Sequence, residues 1–119
     1  MLDRSSQNVL ITGASGFLGN HLIDRLMPTG AKVRAFVHYN SRNGRGLLEQ
    51  FPGELRQPID TFFPGDLTDG AVVRKAVDGC QVIFHLGALI AIPYSYQAPR
   101  PYVDTNVVGA FNVLQVCLA

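Results

Sequence analysis

Short apolar runs and stretches of helical periodicity alternate along the chain. The apolar runs are rich in β-branched and aromatic residues, which is typical of buried strands. They predict four strands, at Asn8 to Thr12, Lys32 to His38, Ile59 to Phe63 and Gln81 to Leu86. Apolar residues at intervals of three or four predict helices from Phe17 to Met27, after a cap at Thr68 or Asp69, and through Val103, Val107, Phe111 and Leu114.

Three prolines, Pro93, Pro99 and Pro101, predict a loop between the fourth strand and the last helix, because proline interrupts helical hydrogen bonding. The alternation of strands and helices indicates an α/β fold with a parallel sheet and right-handed crossovers. The predicted strand order is 3-2-1-4, with the switch point, where the order of the strands reverses, between the first and fourth strands. We therefore predict that residues 1–119 form one domain, the N-terminal part of a doubly wound Rossmann fold.

Composition excludes several classes of protein. With 119 residues, of which 47% are hydrophobic and 16% charged, the chain is typical of a compact domain. Its net charge of +1 predicts no nucleic-acid partner and no attraction to an anionic membrane. The apolar runs fall short of the roughly 20 residues that cross a bilayer, and the polar start MLDRSSQ lacks a signal-peptide core. Cys80 and Cys117 predict neither disulfides nor a metal site, so we expect a cytoplasmic protein.

The segment TGASGFLG has Gly13, Gly16 and Gly19 at intervals of three, where the first strand turns into a helix. Exposed N–H groups and the helix dipole favour an anion at such a junction. Gly13 is expected to allow the tight turn, Gly16 to admit a pyrophosphate, and Gly19 to bring the helix close to the sheet. The alternative is a glycine-rich turn that binds nothing, but the strand–turn–helix context favours dinucleotide binding.

TGASGFLG resembles the TGxxGxxG fingerprint of the short-chain dehydrogenase/reductase superfamily, in its extended branch of nucleotide-sugar epimerases and dehydratases. Three further blocks are similar to that branch: GDLTD at 65–69, VIFHLGA at 82–88 and YVDTNVVGAFNVL at 102–114. The segments AFVHYNS and ALIAIPYSY look most like 4,6-dehydratases of the legionaminic-acid type. The resemblance implies an NAD or NADP cofactor and a nucleotide-sugar substrate.

The resemblance also implies which residues contact the cofactor. They are Gly13, Ser15, Gly16, Phe17, Leu18, Gly19, His38, Arg42, Asp66, Leu67, Leu86, Gly87 and Ala88. In this family the position of Asp66 bonds the adenine amino group and the backbone of Leu67 touches the ring; the alternative is that Asp66 only caps the following turn. Many relatives carry alanine at the position of Gly87, where a side chain would crowd the ribose.

The choice between NAD and NADP stays open. An acidic residue about 20 positions after the glycine loop would bind the ribose 2′-hydroxyl of NAD. The region reads Val-His-Tyr-Asn at 37–40 and has no carboxylate. Arg42 and Arg45 follow, and either bind the 2′-phosphate of NADP or are solvated charges of a loop.

Three residues close to the predicted site are each expected to have a different role. Asn106 stands within a helix, where asparagine is unfavourable, and matches the superfamily asparagine that holds the active-site backbone and a water in place. The alternative for Asn106 is a simple polar contact with the loop. His85, among apolar neighbours, is expected to be packed and not catalytic, and Gly109 is expected to be a packing glycine.

The superfamily's catalytic Tyr-x-x-x-Lys pair is not found in the sequence. The residues four positions after the four tyrosines are Asn43, Ala98, Arg100 and Asn106. We therefore expect an N-terminal part of a longer enzyme, inactive alone, without the remaining strands and the sugar-binding domain. The full enzyme is expected to be an NAD(P)-dependent nucleotide-sugar 4,6-dehydratase, a lyase. The alternatives are an epimerase or reductase of the same superfamily, or a non-catalytic dinucleotide sensor.

Two surfaces are expected to contact partners. The loop from Pro93 to Tyr96 follows the fourth strand, so it is either one wall of the sugar site or a plain connection. The last helix has more apolar positions than one buried stripe needs, and related helices pair in dimers. We therefore expect a homodimer through this helix.

Overall fold

A computed structural model describes residues 7–14, 16–37, 59–89 and 92–118. Four parallel strands form one sheet in the order β3-β2-β1-β4, as the sequence predicts. Their bounds are β1 Asn8–Thr12, β2 Lys32–Val37, β3 Ile59–Pro64 and β4 Val82–His85. In the register of the sheet, Leu10 lies opposite Arg34 on one side and Ile83 on the other.

Five α-helices, one 3₁₀ turn and one π-helical segment complete the described part of the chain. Helix α1 spans Phe17–Leu26 and continues as a 3₁₀ turn, Met27–Thr29, while α2 spans Gly70–Val77. The remaining segments are α3 Ile92–Gln97, α4 Pro99–Val103, a π segment Asp104–Gly109 and α5 Ala110–Leu118.

The predicted proline loop is wrong, because residues 92–103 form two short helices. Pro93 is the second residue of α3, Pro99 the first of α4 and Pro101 the third of α4. These first-turn positions need no N–H donor, so proline is tolerated there. The prolines still prevent one continuous helix, since Ala98 between α3 and α4 has a non-helical backbone.

Strand β1 is buried on both faces, which explains why its central residues are continuously apolar. Val9 and Ile11 of β1 pack with Ile23 on the face covered by α1. Leu10, between them, points to the opposite face and packs with Val73 of α2 and Val113 of α5. In the described residues no helix is long and apolar enough to cross a membrane.

Candidate functional site

A cleft of about 870 Å³ opens at the carboxyl edge of the sheet, beside the start of α1. Its volume lies in the range of small-molecule sites, roughly 300–1,000 Å³. The residues that line it are Gly13, Gly16, Phe17, Leu18, Gly19, Phe36, Gly65, Asp66, Leu67, Thr68, Leu86, Gly87, Ala88, Leu89, Pro101, Asp104 and Thr105. Three connections and the π segment therefore meet around one space.

Most residues predicted from the sequence to contact a cofactor lie together in this cleft. They are Gly13, Gly16, Phe17, Leu18, Gly19, Asp66, Leu67, Leu86, Gly87 and Ala88. The other three, Ser15, His38 and Arg42, lie outside the described residues, as does Arg45. The sequence did not predict a cofactor contact for the lining residues Phe36, Gly65, Thr68, Leu89, Pro101, Asp104 and Thr105.

Gly13 lies in the turn after β1, close to the backbone that follows β4. Its φ of +68° lies in the left-handed region. A Cβ atom built on Gly13 would be 2.8 Å from both the Gly87 nitrogen and the Leu86 carbonyl carbon. Because these obstacles are backbone atoms, no side-chain rotation relieves the contact. Gly13 is therefore required for the tight turn, as predicted, and also for close contact between two strand ends.

Gly19 lies against the turn that follows β1. A Cβ atom there would lie 2.5 Å from the Gly13 oxygen and 2.7 Å from the Ala14 Cα. The glycine therefore lets α1 lie against the turn that leaves β1, and the close approach of the helix to the sheet stays a prediction. Further along α1, the side chain of Ile23 packs on the sheet.

Gly16 is the glycine of this loop that the fold needs least. Its φ of −82° suits any residue, and a Cβ atom would meet only the Gly13 oxygen, at 3.3 Å. The Gly16 nitrogen donates to the same oxygen at 3.0 Å. Since Gly16 lines the cleft and is exposed, the space that its missing side chain leaves open belongs to the cleft.

The two helices that begin at this edge differ in how their first turns are capped. Asp69, the N-cap of α2, accepts hydrogen bonds from the N–H groups of Ala71 and Val72 at 3.1 and 3.4 Å. Gly16, the N-cap of α1, has no side chain, and the first turn of α1 contains no acidic residue. The positive end of the α1 dipole therefore faces the cleft without an acidic side chain of its own first turn to balance it.

Lysine and arginine are absent from the described residues that line the cleft. Of the two acidic residues there, Asp104 accepts from Arg100 Nε at 3.0 Å. Asp66 Oδ1 accepts from the Thr68 N–H at 3.0 Å, so Asp66 does cap the turn that follows it. An anion in the described part of the cleft would thus be bound by backbone N–H groups of the α1 start.

Gly87 and Gly109 both lie against Leu67, a buried residue of the connection after β3. A Cβ atom on Gly87 would come within 2.6 Å of Leu67 Cδ1, and one on Gly109 within 2.9 Å of Leu67 Cβ. Gly109 is thus a packing glycine, as predicted. At Gly87 a side chain would first meet Leu67, and the predicted crowding of a ribose stays a prediction.

His85 is packed at the end of β4, as the sequence predicts. Its Nδ1 lies 2.7 Å from the Thr12 hydroxyl oxygen. Burial lowers the pKa of His85, because the charged ring loses hydration. A neutral, hydrogen-bonded imidazole here holds strand ends together.

Three asparagines each bond the backbone of one connection around the cleft. Asn106, in the π segment, accepts from the Leu89 N–H at 2.8 Å and donates to the Leu89 oxygen at 2.9 Å. This is a contact with the loop after β4, as both interpretations of Asn106 require. Asn20 donates to the Gly16 oxygen at 2.7 Å, and Asn112 donates to the Leu67 oxygen at 2.8 Å.

Sequence reasoning missed the roles of Asn20 and Asn112. The signal that drew attention to Asn106, an asparagine inside a helix, was available for both. Their hydrogen-bond partners, however, are backbone carbonyl oxygens. Every residue has such an oxygen, so the sequence does not show which one an asparagine will bond. The π segment, a kind of distortion that is frequent at functional sites, was not predicted either.

Comparison with known proteins identifies the family. Residues 10–119 match the model of the family described as GDP-mannose 4,6 dehydratase. The chain belongs to this family. The assignment agrees with the extended-branch resemblance, but it does not distinguish the legionaminic-acid type of dehydratase from other members.

Relatives of this dehydratase-family chain include several kinds of enzyme. The chain is 34% identical over 115 residues to UDP-glucuronate 4-epimerase 6 of Arabidopsis thaliana, covering 94% of this chain and 25% of the relative. It is 31% identical over 117 residues to the bifunctional dihydroflavonol 4-reductase/flavanone 4-reductase of Malus domestica, covering 94% and 32%. The chain thus spans between a quarter and a third of the length of these relatives.

A solved structure gives the same fold. The UDP-glucose 4-epimerase of Thermus thermophilus, in complex with NAD, aligns with a TM-score of 0.74 and 27% identity, over 92% of this chain and 33% of that one. The α/β architecture is therefore that of the first third of an epimerase.

Proposed function

We propose that this chain is the dinucleotide-binding part of an NAD(P)-dependent enzyme that modifies nucleotide sugars. The observation that carries the proposal is the start of α1, which opens on a cleft of about 870 Å³ with an N-cap glycine, Gly16, and no acidic residue in its first turn. Membership of the GDP-mannose 4,6 dehydratase family and similarity to an epimerase in complex with NAD support it.

The residues of the cleft fit a dinucleotide in three parts. The N–H groups of the loop from Gly13 to Gly19, with Ser15, would hold the pyrophosphate. Asp66 and the backbone of Leu67 would hold the adenine, while Leu86, Gly87 and Ala88 would lie beside the nicotinamide end. His38 and Arg42 follow β2 in the sequence and would decide between the 2′-hydroxyl of NAD and the 2′-phosphate of NADP.

When bound, the dinucleotide would accept a hydride from the substrate. Phe17 and Leu18 have side chains that are 68% and 66% exposed, and both line the cleft, so they would cover the bound group and exclude water. Asn106 would act in support, because it fixes the Leu89 backbone at the cleft by two hydrogen bonds. The chain itself would bind and orient, and a Tyr-x-x-x-Lys pair in the longer protein would move the proton.

For the whole protein we propose nucleotide-sugar 4,6-dehydration as the first candidate, since the family model is that of a 4,6-dehydratase. The 4-epimerase names of relatives favour C4 epimerisation as the second, and a reductase is also represented among them. Dehydration and epimerisation share a C4 oxidation, which would use the same cofactor site. Incubation of the longer protein with GDP-mannose or UDP-glucuronate distinguishes a 4-keto-6-deoxy product from a C4 epimer.

Cofactor binding is tested on the 119-residue chain by calorimetry with NAD⁺ and NADP⁺. We expect measurable binding of one of them, weaker than in the longer protein, and no turnover. Failure to bind either dinucleotide would contradict the proposal for this chain. The cytoplasmic location expected from the sequence stays a prediction.

A homodimer through the last helix is part of the proposal. From the end of α4 through the π segment to α5, one stripe of the helix is apolar and exposed: Val103, Val107, Phe111, Leu114 and Leu118. The opposite side is used within the chain, where Val113 is buried in the core with residues of α2. A second copy that packs the same stripe against this one would cover the apolar surface.

A further inference from the structure

Asn20 is a polar residue in a position where the fold alone would favour an apolar one. It lies in the first turns of α1 and is only 2% exposed. Its Nδ2 donates to the Gly16 oxygen at 2.7 Å, whereas its Oδ1 is buried and has no hydrogen-bond partner in the described structure. A buried acceptor without a partner is destabilising, so the residue needs a reason beyond stability.

The hydrogen bond of Asn20 acts on the peptide group at the mouth of the cleft. The Gly16 oxygen accepts two donors from Asn20, the backbone N–H at 3.1 Å and Nδ2 at 2.7 Å. The described chain contains no cis peptide, so the Gly16 C=O and the Phe17 N–H point in opposite directions. Because the oxygen points into the helix, the Phe17 N–H points out of the N-terminal end of α1.

The orientation of this peptide group needs to be fixed because Gly16 is a glycine. A glycine backbone rotates more freely than that of other residues, and rotation here would turn a carbonyl oxygen toward any bound anion. The described lining of the cleft offers no lysine or arginine to compensate. Correct orientation of the first-turn N–H groups therefore decides how well the described cleft binds a pyrophosphate.

We propose that Asn20 is a positioning residue for anion binding: its side-chain amide fixes the Gly16 peptide so that the Phe17 N–H faces a dinucleotide pyrophosphate. The inference rests on the proposed cofactor site. Its cost is the unpartnered Oδ1, which the fold tolerates for the sake of the Nδ2 bond.

The test compares the stability and the affinity of the 119-residue chain and two variants. Asn20→Leu removes both the donor and the orphan acceptor and adds buried apolar surface. We expect its free energy of unfolding in urea to equal or exceed that of the unmodified chain. We also expect its affinity for NAD⁺ and for ADP-ribose, measured by calorimetry, to fall roughly tenfold, the effect of losing one well-directed hydrogen bond.

Asn20→Ser is the rescue variant. A serine hydroxyl within a helix bonds the carbonyl four residues earlier, which here is that of Gly16. We expect its affinity to return to within about threefold of the unmodified chain, by the same conversion of a restored bond. Ile23→Val is the control, because Ile23, on the same helix, is 3% exposed, packs in the core and is not among the residues that line the cleft. It should lower stability and leave affinity unchanged.

Each outcome separates the two proposals. If the unmodified chain binds and Asn20→Leu binds equally well, the positioning role is wrong and the cofactor site stands. If Asn20→Leu unfolds or is less stable, Asn20 serves the fold and the inference is overturned. If the unmodified chain binds neither NAD⁺ nor ADP-ribose, the cofactor site itself is contradicted and the inference fails with it.

Discussion

The Thr12 hydroxyl donates a hydrogen bond to Nδ1 of His85 across 2.7 Å. The direction follows from the other bonds of that oxygen, which accepts the N–H groups of Leu86 at 3.0 Å and Gly87 at 3.1 Å. Two accepted bonds fill its lone pairs, so its single proton goes to the imidazole. His85 is therefore an acceptor at Nδ1, and the ends of β1 and β4 are joined at the edge of the cleft.

This arrangement predicts that acid destabilises the chain. Burial lowers the pKa of His85 below its ordinary value of 6.5, so the folded state favours the neutral ring. The resulting stability is present above pH 6.5 and is lost as the pH falls through the lower pKa of the folded state. His85→Asn retains an acceptor near the Nδ1 position and cannot take up the proton. Urea unfolding at about pH 7.5 and about pH 5.5 should show a smaller loss of free energy in the variant; an equal loss would mean that His85 does not contribute.

Gly13→Ala should damage the fold through both its backbone and its contacts. Alanine at a φ of +68° is strained, and its Cβ would be 2.8 Å from the Gly87 nitrogen. We expect a loss of at least about 2 kcal/mol in the free energy of unfolding, the sum of the left-handed and overpacking costs. Gly79→Ala is the matched control, because Gly79 has a φ of +82° and no atom within 4 Å of a built Cβ. It should cost about 1 kcal/mol, from the backbone alone. Equal losses would show that the contact with β4 is unimportant.

Gly16→Val should separate binding from folding. The φ of −82° suits valine, and a Cβ would meet only the Gly13 oxygen, at 3.3 Å. The backbone is therefore not strained by the substitution, and the branched side chain acts by filling the space proposed for the pyrophosphate. We expect dinucleotide affinity to fall at least about tenfold in calorimetry, or about 1.4 kcal/mol, while the fold is retained. Unchanged affinity would locate the ligand elsewhere.

Charges on the exposed apolar stripe should prevent self-association. Phe111 and Leu114 are 59% and 64% exposed and lie outside the core clusters, so the double variant Phe111→Glu, Leu114→Glu places like charges on both copies and leaves the core intact. Sedimentation should show dimers of the unmodified chain and monomers of the variant, with similar circular dichroism. Gln115→Glu adds a charge at an exposed polar position of the same helix and should leave the dimer intact. A monomeric unmodified chain would contradict the dimer.

Local sequence patterns predict much of the fold. The β-branched run from Asn8 to Thr12 is a strand with the predicted bounds, because a strand buried on both faces must be apolar throughout. Periodicity also located α1, which ends one residue earlier than predicted, at Leu26, before the 3₁₀ turn. Proline was misleading at 92–103, since a one-letter pattern does not say whether a proline falls in the first turn of a helix or later.

The sequence by itself determined the order of strands and helices and the glycine loop, because hydrophobic periodicity and the spacing of Gly13, Gly16 and Gly19 are properties of neighbouring residues. Only the tertiary structure decided which of these glycines the fold requires. Gly13 and Gly19 are confined by backbone atoms, which in the case of Gly13 belong to Leu86 and Gly87 just after β4, while Gly16 is not. It also decided the partners of Asn20, whose amide bonds a backbone carbonyl and whose Oδ1 is left buried without a partner in the described structure. Distances between backbone atoms depend on how the chain packs, and residue identities alone do not contain them.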